Sequence, residues 1–404
     1  VNERLLRLSP AMQALTFSSI PLFPSFITLT GVAFPGVSVI PPPAAVALLV
    51  LTGLFAIYTA IFALVPPRTG SPIGSSMVWL FAAWAVAVAF GLDRRDGVLF
   101  LAIFGVSELW HVTILRAYEA PSAARAIWWS FTLAGTLACL VAIVMVFTRV
   151  PAVQYAVTNG RAVGTFVLPG ELAGFLIAFL PAMYGLSRTA REPALRTCAR
   201  VGIAAGSIAM VMTFSRAGWI GLASAIAVYV MIRARGARAG ITIAVATIAA
   251  ALVIVLAFFN EHHNPSENYT RLAIWQAAIG SIDRFPLTGV GPFGFSHVYP
   301  LVRLPGGDAT AFHAHSLYLS LFADLGVLGV GTLLWVIASF ARAMHDALRN
   351  ASAGAALLAS ALAAGVAGML VQGLIDTVSI VIFCLLFSMM ALALASARAG
   401  TGDA

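Results

Sequence analysis

The sequence predicts an all-α polytopic membrane protein, and three observations predict it. Of 404 residues, 61% are hydrophobic and 9% charged, with mean hydropathy +0.97, which excludes an ordinary soluble globule. Apolar runs near the length needed to cross about 30 Å of hydrocarbon recur about twelve times. The arginines divide unevenly between alternate connections, and this fixes an orientation.

The first six runs centre on 11–29, 44–65, 74–92, 97–115, 127–148 and 170–187. Six more centre on 199–214, 217–232, 240–259, 316–338, 354–375 and 378–397. The opening stretch, Val1 to Pro10, is polar with Arg4 and Arg7, and predicts no cleavable signal. Very short turns join 199–214 to 217–232 and 354–375 to 378–397. Alanine-rich helices permit close helix packing, and no internal repeat or low-complexity tract appears beyond them.

All 23 basic residues are arginine. With a cytoplasmic N-terminus, fifteen fall on inner segments and eight on outer ones: Arg94, Arg95, Arg149, Arg161, Arg216, Arg271, Arg284 and Arg303. That asymmetry satisfies the positive-inside rule with both termini cytoplasmic. The net charge of +8 reads as arginine facing anionic lipid, because no basic run with interleaved aromatics points to nucleic acid. Cys139, Cys198 and Cys384 fall in or beside different apolar stretches and spell neither a disulfide framework nor a metal site.

Most outer connections are short, but 149–169 and 260–315 are not. The chain therefore reads as a single transmembrane domain, 1–404, with one large external loop, 260–315, between the ninth and tenth spans. In that loop Thr270 to Ile282 predicts an amphipathic helix, with Leu272, Trp275, Ile279 and Ile282 at helical spacing and Arg271 at its beginning. Phe285 to Phe295, FPLTGVGPFGF, is too rich in Pro and Gly to be helical. Gly306 to Asp308 marks a turn, and Phe312 to Leu319 leads into the tenth span.

Arginine on the outer side is the chemical clue. A permanently charged guanidinium at a bilayer surface needs an anion, and its planar fork suits the oxygens of a phosphate or diphosphate. A single interfacial arginine more often lies against lipid headgroups, and Arg94, Arg95, Arg149 and Arg303 are read that way. Arg284 is open between the two readings. Arg216 stands apart because its turn is too short to carry a charge far from the bilayer. His313 and His315 share a face only if the backbone is extended. With His297 and Asp308 they offer a zinc site as an alternative, weakened by irregular spacing and the lack of a cysteine. His262 and His263 read as ordinary loop residues. Glu108 and His111, three apart, predict a buried polar contact, and Asp324 and Asp376 are polar candidates to pair with an arginine.

Four segments occur in order: RAVGTFVLPGELAGFLIAFLP from Arg161 to Pro181, TFSRAGWIGL from Thr213 to Leu222, RLAIWQAAIGSIDRFPLTGVGPFGF from Arg271 to Phe295, and HAHSLYLSLFADLGVLG from His313 to Gly329. Together they resemble the O-antigen ligase and O-antigen polymerase superfamily of bacterial inner-membrane glycosyltransferases. The resemblance covers 161–329. It departs at Ser316, where many members have Asn, and at VLPGEL, Val167 to Leu172, where relatives often read Gly-Asn/His-Pro-Asn.

The resemblance implies a GT-C-type helix bundle in the Gram-negative inner membrane, with its active site at the periplasmic face. It implies transfer of O-antigen glycan from undecaprenyl diphosphate to a hydroxyl of lipid A-core, inverting, with no metal or other cofactor. By the same resemblance Arg161, Arg216 and Arg271 hold the diphosphate, and His315 or His313 is the base. Relatives with a single histidine keep the one before the polar residue and Leu, which favours His315.

The residues fit this chemistry. A diphosphate departs as a stabilised anion and needs positive charge around its oxygens, whereas a glycosidase needs paired carboxylates, and no such outer pair stands out. A helix starting at Ser316 to Leu319 has a dipole that keeps a nearby imidazole neutral, as a base requires. O-antigen polymerase and protein O-oligosaccharyltransferase are alternatives within the superfamily. A lipid-linked glycan flippase is the alternative of another class, for which repeated halves with broken midplane helices are expected and are not seen.

Overall fold

The computed structural model describes residues 10–15, 17, 18, 20, 70–234, 236–258, 265–305, 307, 311, 313–376 and 380–399. From residue 74 onward these form thirteen helices, and no strand occurs among the described residues. In chain order they are α1 Gly74–Phe90, α2 Arg94–Ala117, α3 Pro121–Thr148, α4 Ala152–Val157, α5 Pro169–Thr189, α6 Pro193–Met212 and α7 Arg216–Arg233. Then follow α8 Ala237–Phe258, α9 Pro265–Arg284, α10 Gly294–Val302, α11 Leu317–Arg349, α12 Ala353–Gln372 and α13 Ile380–Ala399.

Seven of these are long and apolar enough to cross a membrane, and three shorter apolar helices, in α1, α8 and α13, accompany them. The ten coincide with the last ten runs read from the sequence. Of the first two, 44–65 lies wholly and 11–29 largely outside the described residues. Helix starts follow local chemistry. Proline occupies the first helical position of α3, α5 and α6, where its missing N–H is no loss. Ser215 caps α7 by accepting from the Gly218 N–H at 3.1 Å.

α12 is the hub, buried along most of its length and packed on α5, α7 and α13. Small residues allow that packing. A Cβ at Gly368 meets the Gly221 carbonyl oxygen at 2.6 Å, so the α7 and α12 backbones touch as in membrane helix pairs built on small residues. The larger core gathers Phe131, Phe175 and Phe179 among α3 and α5, and Phe387 with Phe104 between α13 and α2.

Two expectations are corrected here. The predicted span 316–338 is not one continuous helix, because α11 breaks at Gly326, where φ is +65° and ψ −159°. The carbonyls of Ala323 and Asp324 freed by the break accept from the N–H groups of Val290 and Gly291 at 2.8 and 2.9 Å, and the Val327 N–H donates to the Pro286 carbonyl at 2.8 Å. The glycine-rich loop 285–293 thus closes the hydrogen bonds that a broken helix leaves open, the condition under which non-helical backbone is tolerated at membrane depth. Hydropathy carries no trace of this, since Gly326 sits in an apolar run.

The second correction concerns α9. Leu272 and Ile279, which mark the apolar stripe read from the sequence, are exposed, and Trp275 and Ile282 are half-buried. The buried face is Ile274, Ala277, Ala278 and Ser281, against Phe295, Val298 and Tyr299 of α10 and Ala323 of α11. Alanines win the contact because α9 comes close to its neighbours, which bulkier side chains on that face would prevent.

Candidate active site

The ends of the helices are tied together at the side that the charge asymmetry assigns to the outside. The Leu92 N–H donates to the Val290 carbonyl, the Ala162 N–H to the Met212 carbonyl, and the Leu317 N–H to the Gly373 carbonyl, all at 2.7–2.9 Å. The Gln372 amide donates to the Gly170 carbonyl at 2.9 Å. All five residues singled out from the sequence sit within this lattice.

Arg161 lies in the loop before α5, and its Nε donates to the Thr213 carbonyl at 3.0 Å. That carbonyl belongs to the tight turn between α6 and α7, so Arg161 is pinned beside Arg216, the first residue of α7. A Cβ at Gly218, half a turn further, meets the Ala173 methyl at 2.5 Å, which brings the start of α7 against the start of α5. Glu171 completes that start by accepting at one carboxylate oxygen from the N–H groups of Val167 and Leu168. Arg271, on α9, donates from one terminal nitrogen to the Ile375 carbonyl at 3.0 Å, in the turn that leaves α12.

Burial separates these three from the rest. Arg161, Arg216 and Arg271 are half-buried, whereas Arg94, Arg95, Arg149, Arg284 and Arg303 are exposed. The exposed set includes Arg284, which the sequence left open.

His313 and His315 stand together just before α11. Their rings meet edge to face with centroids 4.4 Å apart. The His315 N–H donates to Nδ1 of His313 at 3.3 Å, so that lone pair of His313 is engaged and the proton of a neutral ring sits on Nε2. Burial, and then the neighbouring His315, push the His313 imidazole down to about 3, against an upward pull from Asp376. His315 has φ +47°, a left-handed conformation that side-chain-bearing residues seldom take. Asn159, two residues before Arg161, and Phe214, two before Arg216, share it, with φ +52° and +48°. Such conformations persist where surrounding structure over-determines them, and they cluster at functional sites.

The same end contains a contact the sequence did not reveal. Gly170 lets the Asp376 carboxylate rest on its backbone, since a Cβ there lies 2.3 Å from Oδ2. Asp376 follows Ile375, which anchors Arg271, and its charge acts on His313. The only prior signal was a carboxylate near the last outer turn.

Other expected pairings are not made. The His111 ring nitrogens bond Ser71 Oγ at 3.1 Å and the Phe387 carbonyl at 3.0 Å rather than Glu108, so both nitrogens are already engaged. Asp324 joins no ion pair among the described residues, and its backbone carbonyl serves the loop instead. His297 is exposed and bonds Asp93 at 3.2 Å rather than joining the two histidines. Among the described residues no three His, Cys, Asp or Glu side chains gather as a metal site, and Asp308 lies outside them.

Arg271, whose charge acts on His313, and the half-buried Arg161 and Arg216 have the chemistry to bind an oxyanion, and an imidazole has the chemistry to receive a proton. Comparison with known proteins bears on which reaction this serves. Residues 201–335 match the family model described as O-antigen ligase. No curated protein matches the chain.

Proposed function

From the O-antigen ligase domain at 201–335, which makes this chain a member of the O-antigen ligase superfamily, we infer a glycosyltransferase acting on a lipid-linked glycan at the outer face of a bacterial inner membrane. The donor is glycan on undecaprenyl diphosphate, the acceptor a sugar hydroxyl of lipid A-core, and the product lipopolysaccharide. The observation that carries the reading is the partition of the outer arginines. The three within the motifs are half-buried at one end of the bundle, where Arg161 and Arg271 are held by hydrogen bonds to the Thr213 and Ile375 carbonyls and Arg216 opens α7, while five others face out.

In the reaction, the acceptor oxygen attacks the anomeric carbon as the bond from that carbon to the diphosphate breaks. The electron pair leaves on the diphosphate oxygen, and the hydroxyl proton goes to an imidazole nitrogen. Arg161, Arg216 and Arg271 stabilise the charge that grows on the leaving group, which positioned donors do at little reorganisation cost. His315 is the base. His313 already accepts a hydrogen bond at Nδ1, and at about 3 its imidazole lies far below the range in which a base works best near neutral pH. His313 instead orients the strained backbone of its neighbour. A direct displacement inverts the anomeric centre.

Purified protein given undecaprenyl-diphosphate-linked glycan and lipid A-core tests this, with new glycan linkage as the readout. Capped lipid A-core and free undecaprenyl diphosphate are the expected products. Extension of the lipid-linked glycan in place of capping identifies a polymerase. Relocation of intact donor across vesicles with no new linkage identifies a flippase and overturns the reading.

A further inference from the structure

A groove between α7 and α8 begins directly beneath the arginine end. It encloses a volume of about 510 Å³, within the span of about 300–1,000 Å³ usual for ligand sites. Trp219, Ala223 and Ile226 form one wall and Ile243, Ala246 and Ala250 the other. Arg216 and Trp219 are three residues apart on one helix, so the charge and the groove lie on adjoining turns of the same face. The alanines hollow the floor, while Ile226 and Ile243, 46% and 49% exposed, leave the groove open sideways. From Trp219 to Ile226 it descends about 10 Å along the helix axis. Thr247, also in its lining, spends its hydroxyl on the Ile243 carbonyl, so the wall offers no hydrogen bond there.

A ligand matching this shape has an anionic head one helical turn above a long apolar chain that enters from the bilayer. We propose that the groove seats the head-proximal part of the prenyl chain of the donor, with Arg216 at its mouth holding the diphosphate. The assignment rests on the donor class inferred above. It also gives the donor a fixed direction, its chain between α7 and α8 and its sugar toward His315. The chain beyond the groove lies among lipids.

Photo-crosslinking of the wild-type protein in nanodiscs tests it directly, using undecaprenyl diphosphate with a diazirine on its second isoprene. Labels on peptides covering 219–226 and 242–251 are expected, and labels confined to other helices overturn the groove. Filling the groove gives the second measurement. Ala223→Phe and Ala246→Phe should each weaken binding of undecaprenyl diphosphate at least tenfold while leaving dimethylallyl diphosphate, too short to need the groove, unchanged. Variants with unaltered thermal unfolding that keep wild-type affinity for the long chain refute it. Loss of bound phosphatidylglycerol in these variants, with undecaprenyl diphosphate unaffected, assigns the groove to ordinary lipid and also refutes it. Wild-type protein that is labelled in the groove yet makes no glycan linkage overturns the proposed reaction and leaves the groove standing.

Discussion

Replacing Gly170 with Ala perturbs the candidate site without replacing any charged group. The added Cβ would lie 2.3 Å from the Asp376 carboxylate, and real contacts of this kind stay above 3.0 Å, so the carboxylate must retreat by about 0.7 Å. Asp376 stands in a turn that is tied on both sides. Ile375 beside it holds Arg271 at 3.0 Å, and Gly373 in the same turn holds the Leu317 N–H, just past His315, at 2.7 Å. A displacement that carries the turn with it reaches both Arg271, the proposed diphosphate clamp, and His315, the proposed base. A misplacement of about 1 Å costs about 100-fold in rate, and the smaller shift predicts a fall in kcat of about 10- to 100-fold, or about 1.4 to 2.7 kcal/mol in the barrier. The assay is the initial rate of transfer from lipid-linked donor to lipid A-core with purified protein. Gly331→Ala is the control, because nothing lies within 4 Å of a Cβ there. A folded Gly170→Ala protein with kcat within about twofold of wild type, against the loss expected from a shift of this size, would refute the coupling of this turn to the site.

Other expectations are independent of that turn. Arg216→Lys keeps the charge but loses the planar fork, and should cut turnover by about 100-fold or more with thermal unfolding unchanged; full activity removes Arg216 from the clamp. His315→Ala should slow turnover far more than it weakens donor binding, and a larger catalytic loss in His313→Ala than in His315→Ala would reverse their roles. Because the His313 imidazole is held at about 3, below its ordinary 6.5, its neutral form stabilises the fold fully above about 6.5, and that stability drains away as pH falls toward 3. Melting temperatures between pH 7 and 4 should decline less steeply in His313→Asn. EDTA should leave transfer unaffected, and inhibition that zinc reverses would establish a metal requirement.

Much of the architecture was legible in the chain because crossing a bilayer imposes length and composition on each helix. Ten of the predicted runs are apolar helices, and the arginine count predicts their orientation. The charge pattern marks eight outer arginines alike, and only the motif resemblance singled out Arg161, Arg216 and Arg271 among them, together with the two histidines. Their mutual placement was not legible. Thr213 and Ile375 carbonyls anchor Arg161 and Arg271 across separations of 52 and 104 residues, and any residue type supplies a carbonyl, so no side-chain signal marks these anchors. The break at Gly326, the alanine face of α9 and the seat of Asp376 on Gly170 are equally silent in composition. Each depends on how closely two backbones approach, a distance fixed only when the whole bundle packs. Composition and periodicity thus determined which segments are long and apolar enough to enter a membrane, because transfer free energy is a property of each segment. Tertiary packing alone decided which of the arginines are sheltered, because shelter is a property of neighbours remote in the chain.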